Sequence, residues 1–144
     1  MIQTTFEQRV KVVAILNNSS LGEVAKNYGS SQASLSVRLK NGKMSFEDQR
    51  RLADSLHCKI VIQFVFPDGQ VITGNNAKEL VSWACEYVDI SMAKLAEKFN
   101  QSRQTFFDRV SNGRYTDTEL SLIADALGCT YENYFLLDDD TKIF

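Results

Sequence analysis

The stretch Leu21–Gly42, LGEVAKNYGSSQASLSVRLKNG, decides how the rest of the chain is read. Val24, Ala25 and Tyr28 make an i, i+1, i+4 apolar face, the spacing of a short amphipathic helix. Gly29 follows where the backbone must reverse through a left-handed residue, a conformation glycine enters without a Cβ clash. Ser31 is placed to cap a second helix whose buried positions are Leu35 and Leu39. A residue as small as Ala25 lets the two helices cross closely. With Leu35 and Leu39 turned inward, Gln32, Ala33, Ser36 and Lys40 remain on one outward strip. Such a strip is narrow and short enough to enter a DNA major groove.

The ordered set Ala25, Gly29, Ser31-Gln32, Leu35-Ser36 and Asn41-Gly42 resembles the helix-turn-helix of the Cro/C1 (Xre) family of phage and bacterial repressors. The resemblance covers most of the unit up to its fourth helix. It implies a mainly α fold and a sequence-specific double-stranded DNA-binding transcriptional regulator, expected to repress its own or a neighbouring promoter. It also implies that the helix from Gln32 to Lys40 does the reading, and that the protein works as a two-fold pair, a homodimer.

Working outward, the chain is a tandem repeat with a constant offset of 71: Val10 matches Val81, Ser20 matches Ser91, Ala25 matches Ala96, Ser31 matches Ser102 and Arg38 matches Arg109. The register continues ungapped through Asn41-Gly42 with Asn112-Gly113, Ala53-Asp54 with Ala124-Asp125, and Cys58 with Cys129. Chance would scatter such identities over many offsets. The expected division is a first helix-turn-helix unit at 1–73, the main DNA reader, and a second at 74–144, a further reader or a unit for dimerisation or protein interaction. Each is expected to end in a short β-hairpin.

Helix starts are marked by capping pairs. Thr4 with Glu7 or Thr5 with Gln8, Ser20 with Glu23, Ser45 with Asp48, Asn76 with Glu79, and Thr116 with Glu119 all carry the signature. After Cys58 the pattern turns β-rich, KIVIQFVF, then Pro67-Asp68-Gly69, then QVIT, which predicts a hairpin. The second unit echoes it around Asp138-Asp139-Asp140. Three adjacent acids without convergent ligands read as an exposed turn rather than a cation site. A lone two-stranded hairpin is barely stable, so the two must pair with each other in one chain or across a dimer; the sequence leaves both open, with a homodimer as the expected assembly.

The 144 residues fit one domain or two very small ones, and 44% hydrophobic residues suffice for a core. No apolar run of about eighteen residues could span a membrane, and the opening residues carry no secretion signal. Cys58, Cys85 and Cys129 are odd in number and too widely spaced for a metal clip, which fits a reducing cytoplasm. The formal charge of -2 hides an asymmetry. Residues 1–74 hold nine Lys and Arg against six Asp and Glu, and residues 75–144 hold seven against twelve, so the first half is the expected phosphate binder.

Gln32 can meet adenine N6 and N7 bidentately, and Ala33 can touch a thymine methyl. Ser31, Ser34 and Ser36 can donate to phosphate or base, while Arg38, Lys40 and Lys43, toward the helix end, suit phosphates. Against each stands the plainer reading of a solvated polar residue. In the second unit Arg103, Gln104 and Thr105 are good groove residues, with Arg109 and Arg114 as further cations. Phe107 and Asp108 break that pattern and, with Trp83, suit a protein contact. They carry the alternative: a helix-turn-helix interaction protein, such as a phage anti-CRISPR inhibitor or an antitoxin, binding a protein through its acidic second unit. His57 is the sole histidine, and no phosphate loop, nucleophile elbow or metal motif occurs, so neither an enzyme nor a cofactor is expected.

Overall fold

The structure is a computed structural model that describes residues 5–41, 44–112 and 115–144. It is mainly helical with a small four-stranded antiparallel sheet. In chain order the elements are α1 (Phe6–Leu16), α2 (Leu21–Tyr28), α3 (Gln32–Asn41), α4 (Phe46–Ser55), β1 (Lys59–Val65), β2 (Val71–Thr73), α5 (Ala77–Tyr87), α6 (Met92–Lys98), α7 (Arg103–Ser111), α8 (Asp117–Leu127), β3 (Thr130–Leu136) and β4 (Lys142–Ile143). Every element from α5 onward starts 71 residues after its counterpart.

The backbone repeats as closely as the element order. Each positive φ among the described residues has a partner 71 positions away: Asn18 (53°) with Asp89 (57°), Gly29 (92°) with Asn100 (55°), His57 (58°) with Gly128 (77°), and Gly69 (89°) with Asp140 (67°). Glycine therefore occupies only one member of three pairs and neither member of the fourth, yet the turns are the same.

Most capping signals act as expected. Thr5 and Gln8 form a reciprocal capping box, and Ser20, Ser45 and Asn76 each accept a backbone N–H three residues on. Thr116 is the exception: it stands at the start of α8 without a side-chain cap bond among the described residues. Its extended backbone still directs the chain into α8, whose first turn carries Asp117 and Glu119 against the helix dipole.

The turn at Pro67-Asp68-Gly69 closes β1 on β2 through Phe66 N–H to Gln70 O (2.9 Å) and Gly69 N–H to Phe66 O (2.9 Å). Leu137, Asp140 and Thr141 repeat those bonds between β3 and β4. The sheet order is β2-β1-β3-β4 within one chain. Both hairpins therefore belong to one sheet of this chain, one of the two pairings that the sequence left open.

The chain divides into two compact units. One comprises Met1–Val61 with Asn133–Phe144, the other Ile62–Glu132. The end of the chain therefore belongs with the first four helices, while β2 belongs with α5–α8. Regrouped this way, the first unit holds ten Lys and Arg against eight Asp and Glu, and the second six against ten, so the charge asymmetry persists.

In the first unit Val10, Val13, Val24, Leu35, Leu52, Leu56 and Phe135 are wholly buried in one apolar cluster. Burying a side chain of this size stabilises by roughly 1.5–3 kcal/mol. Arg9 is the unusual member: its guanidinium lies over the rings of Phe6 (5.2 Å) and Phe135 (5.9 Å) and donates to Asn133 O and Oδ1 (2.8 and 2.9 Å). Asn133 in turn donates to the buried Gln49 at 2.6 Å, which satisfies polar groups that burial would otherwise penalise. In the second unit Phe64, Leu80, Val81, Leu95, Phe106, Leu120 and Ile123 are buried to 1% exposure or less.

Among the described residues no helix is long and apolar enough to cross a membrane, and no group of three His, Cys, Asp or Glu side chains could hold a metal ion.

Candidate nucleic-acid interface

The Leu21–Asn41 segment forms two helices meeting at a tight reversal. Gly29, at φ 92°, donates to Ala25 O (2.9 Å), and Ser30 N–H donates to the same carbonyl (2.9 Å), ending α2. Ser31 then opens α3: its Oγ accepts from Ser34 N–H (3.1 Å) and its hydroxyl donates to Ser34 Oγ (3.0 Å). Leu35 and Leu39 are buried, at 0% and 3% exposure, and so fix the rotation of α3 about its axis.

That rotation leaves Ser31, Gln32, Ala33, Ser34, Arg38 and Lys40 exposed, with Ser36 half-buried. Gln32 lies over Gly22 near the start of α2: a Cβ on Gly22 would come 3.3 Å from Gln32 Oε1. Val37 was not among the residues singled out in the sequence, yet it is 57% exposed on α3. Its signal was an apolar residue at neither of the two core positions, one turn after Ala33.

Arg38 is not a free cation. It donates to Asp48 of α4 at 2.7 Å and lies 5.7 Å from the centre of the Tyr28 ring. Arg51 covers the same ring at 4.3 Å and donates to Tyr28 O at 3.1 Å. Burial first, and then the Asp48 carboxylate, push the Tyr28 phenol above its ordinary pKa. Lys40 is exposed, and Lys43 lies outside the described residues.

Compared with protein-family models, curated proteins and solved structures, the chain matches none. Both helix pairs must be judged on their own geometry.

The second pair keeps the frame and changes its outer face. Asn100 takes the left-handed position of Gly29, and Ser102 caps α7 by accepting from Thr105 N–H at 3.1 Å. Arg103, Gln104 and Thr105 are exposed, but Gln104 is tied to Asp108 at 2.9 Å and the Thr105 hydroxyl accepts from Ser102 at 2.9 Å. Arg109 pairs closely with Glu119 and lies over the Tyr115 ring at 5.1 Å, repeating the bond of Arg38 with Asp48. Arg114 lies outside the described residues. Phe107 is half-buried rather than open, with the Lys78 ammonium 5.3 Å from its ring. Trp83 is 46% exposed on α5, so it is a surface residue and not part of the core.

Proposed function

We propose that the protein is a sequence-specific double-stranded DNA-binding regulator, a repressor built from two Cro/C1-like units in tandem, which reads the major groove with α3. One observation carries this reading: Leu35 and Leu39 anchor α3 while Gln32, Ala33, Ser34 and Val37 stay exposed along it. Gln32 suits adenine, Ala33 and Val37 suit thymine methyls, and Lys40 with Lys43 suits phosphates. The +2 balance of the first unit favours its use as the reader, and a two-fold pair of chains is the proposed assembly.

Selection of bound duplexes from a random library tests the proposal. An enriched motif is expected, with half-sites about 10–10.5 bp apart if two copies bind together. Gln32→Ala should cost about 1–3 kcal/mol on that motif and much less elsewhere. Absence of any enriched motif, or an equal loss on every duplex, rejects the proposal.

A second reading, a helix-turn-helix interaction protein acting through the acidic unit, is favoured by Trp83 and Tyr87. These rings lie one turn apart on α5, exposed by 46% and 42%. A protein partner retained after complete nuclease digestion would select this reading over the first.

A further inference from the structure

Trp83 and Tyr87 form an i, i+4 pair on α5 and share one face of that helix, both open to solvent. At the matching positions of α1 the first unit carries Val12 and Leu16, so the exposed face is repeated but its aromatic character is not. Tyr87 is held in place from two sides. Its ring is tilted against Phe66 at 4.8 Å, and its hydroxyl donates to the Asp68 carboxylate in the hairpin turn. Asp68 also accepts from Gln70 N–H at 2.9 Å. The Tyr87 bond first, and then the Gln70 N–H, hold the Asp68 carboxyl below its ordinary pKa, so it stays ionised at neutral pH.

Carboxylates rim the pair. Glu86 is exposed three residues after Trp83, the spacing of neighbours on a helix surface, and Asp89 is exposed just past the end of α5. Lys78, the one basic residue in the α5 sequence, lies over the Phe107 ring at 5.3 Å. The unit as a whole holds six Lys and Arg against ten Asp and Glu. This chemistry selects an occupant. Phosphates of a nucleic acid or a lipid surface are repelled by the acids. A second copy in a two-fold contact would set the acidic rim against itself. A wholly apolar partner would cover Trp83 but strand the carboxylates without counter-charge. A guanidinium meets both demands, because its plane stacks on an indole face and its fork of N–H donors matches a carboxylate.

We propose that this face of α5 docks an arginine-bearing segment of a protein partner, its guanidinium groups stacked on Trp83 and paired with Glu86 and Asp68. Both Asp68 oxygens keep acceptor capacity beyond the bonds they already make, since a carboxylate offers about four lone-pair sites. The fixing of Tyr87 by Phe66 and Asp68 lowers the ordering cost of forming the contact. The assignment rests on the second reading above, in which the acidic unit takes a protein, and it supplies the chemistry of that protein. It involves no residue of α3, so DNA reading by that helix neither requires nor forbids it.

Fluorescence anisotropy of fluorescein-labelled hexa-arginine titrated with the full chain tests the proposal, with hexa-lysine as the second probe. Hexa-arginine is expected to saturate and to bind about threefold more tightly than hexa-lysine, because a guanidinium stacks on an indole better than an ammonium does. Trp83→Val installs the residue that the first unit carries at position 12, and should weaken hexa-arginine about threefold to fivefold with the fold intact by circular dichroism. Glu86→Gln should weaken it similarly, whereas Asp139→Asn, which removes the same charge from the first unit, should leave it unchanged. Four results would each overturn the proposal: no saturable binding, hexa-lysine binding as tightly, undiminished binding by a folded Trp83→Val variant, or equal losses from Glu86→Gln and Asp139→Asn. If the proposal falls in this way, a protein retained after nuclease digestion by the native chain but not by Trp83→Val leaves the second reading standing with a partner of other chemistry. Retention of no protein removes both.

Discussion

The Arg38 guanidinium donates to the Asp48 carboxylate at 2.7 Å, so a cation on the outer part of α3 is already held by α4. The same bond recurs 71 residues on between Arg109 and Glu119. A phosphate and Asp48 must therefore compete for Arg38. If Lys40 and Lys43 of a two-fold pair act alone, log K should fall with log salt at a slope of about -3.6. With Arg38 engaged the slope should approach about -5.4, since each neutralised phosphate adds about 0.9. Asp48→Asn keeps the shape and removes the competitor. It is expected to raise affinity for all duplexes and steepen the salt dependence, while changing stability by no more than about 1 kcal/mol, as befits a partly exposed pair. An unchanged salt slope would show that Arg38 makes no phosphate contact.

Gly22 and Gln32 give a prediction in which stability and reading separate. Gly22 lies inside α2 with ordinary helical backbone, so alanine there should help the helix, by up to about 0.5 kcal/mol near its first turn. The added Cβ would stand 3.3 Å from Gln32 Oε1, close enough to displace a flexible amide but not the backbone. Gly22→Ala should therefore raise the urea midpoint slightly while relaxing the base preference that Gln32 imposes. A selection experiment returning the wild-type motif with undiminished preference would refute the placement of Gln32 as a base reader.

The repeat explains what was legible in the sequence and what was not. Apolar spacing located Val24, Ala25, Tyr28, Leu35 and Leu39, because burial of a helix face depends on the residues of that helix. The hairpins were legible at Pro67-Asp68-Gly69 for the same local reason. Their pairing into one sheet was not, since strand edges do not declare their partners. Nor was the engagement of Arg38, because Asp48 lies ten residues away on another helix. Thr116 shows the converse, a local signal that the structure leaves unused.

Position 57 turns that comparison into a stability test. His57 and Gly128 share one left-handed turn, at φ 58° and 77°, but only glycine enters it without steric cost. An L-residue there pays on the order of 1–2 kcal/mol, partly offset by the greater chain entropy that glycine loses on folding. His57 is exposed, so its replacement removes no core packing. His57→Gly should raise unfolding free energy by about 0.5–1 kcal/mol, and Gly128→His should lower it by a similar amount. Urea denaturation of both variants gives the answer, and equal destabilisation by both would contradict a shared turn.

The buried cysteines make folding stability depend on alkaline pH. Burial pushes Cys58, Cys85 and Cys129 each from 9.0 to about 11; nearby carboxylates add to the effect at Cys58 (Asp138 and Asp54) and Cys129 (Asp125). Between those values the folded chain keeps thiol protons that the unfolded chain has lost. Folding stability is then fully present below about pH 9 and declines as pH rises toward about 11, since the unfolded state binds fewer protons across that window. Tyr115, raised by burial to about 12, acts in the same direction at still higher pH. The ultraviolet absorbance of thiolate should titrate near pH 11 in the native protein and near 9 in urea. Thiol reagents at pH 8 should leave the native chain almost unmodified and label three sites once it unfolds. A native thiolate midpoint near 9, or rapid labelling of the folded protein, would mean that these side chains are open to solvent and that both units are packed differently from this structure.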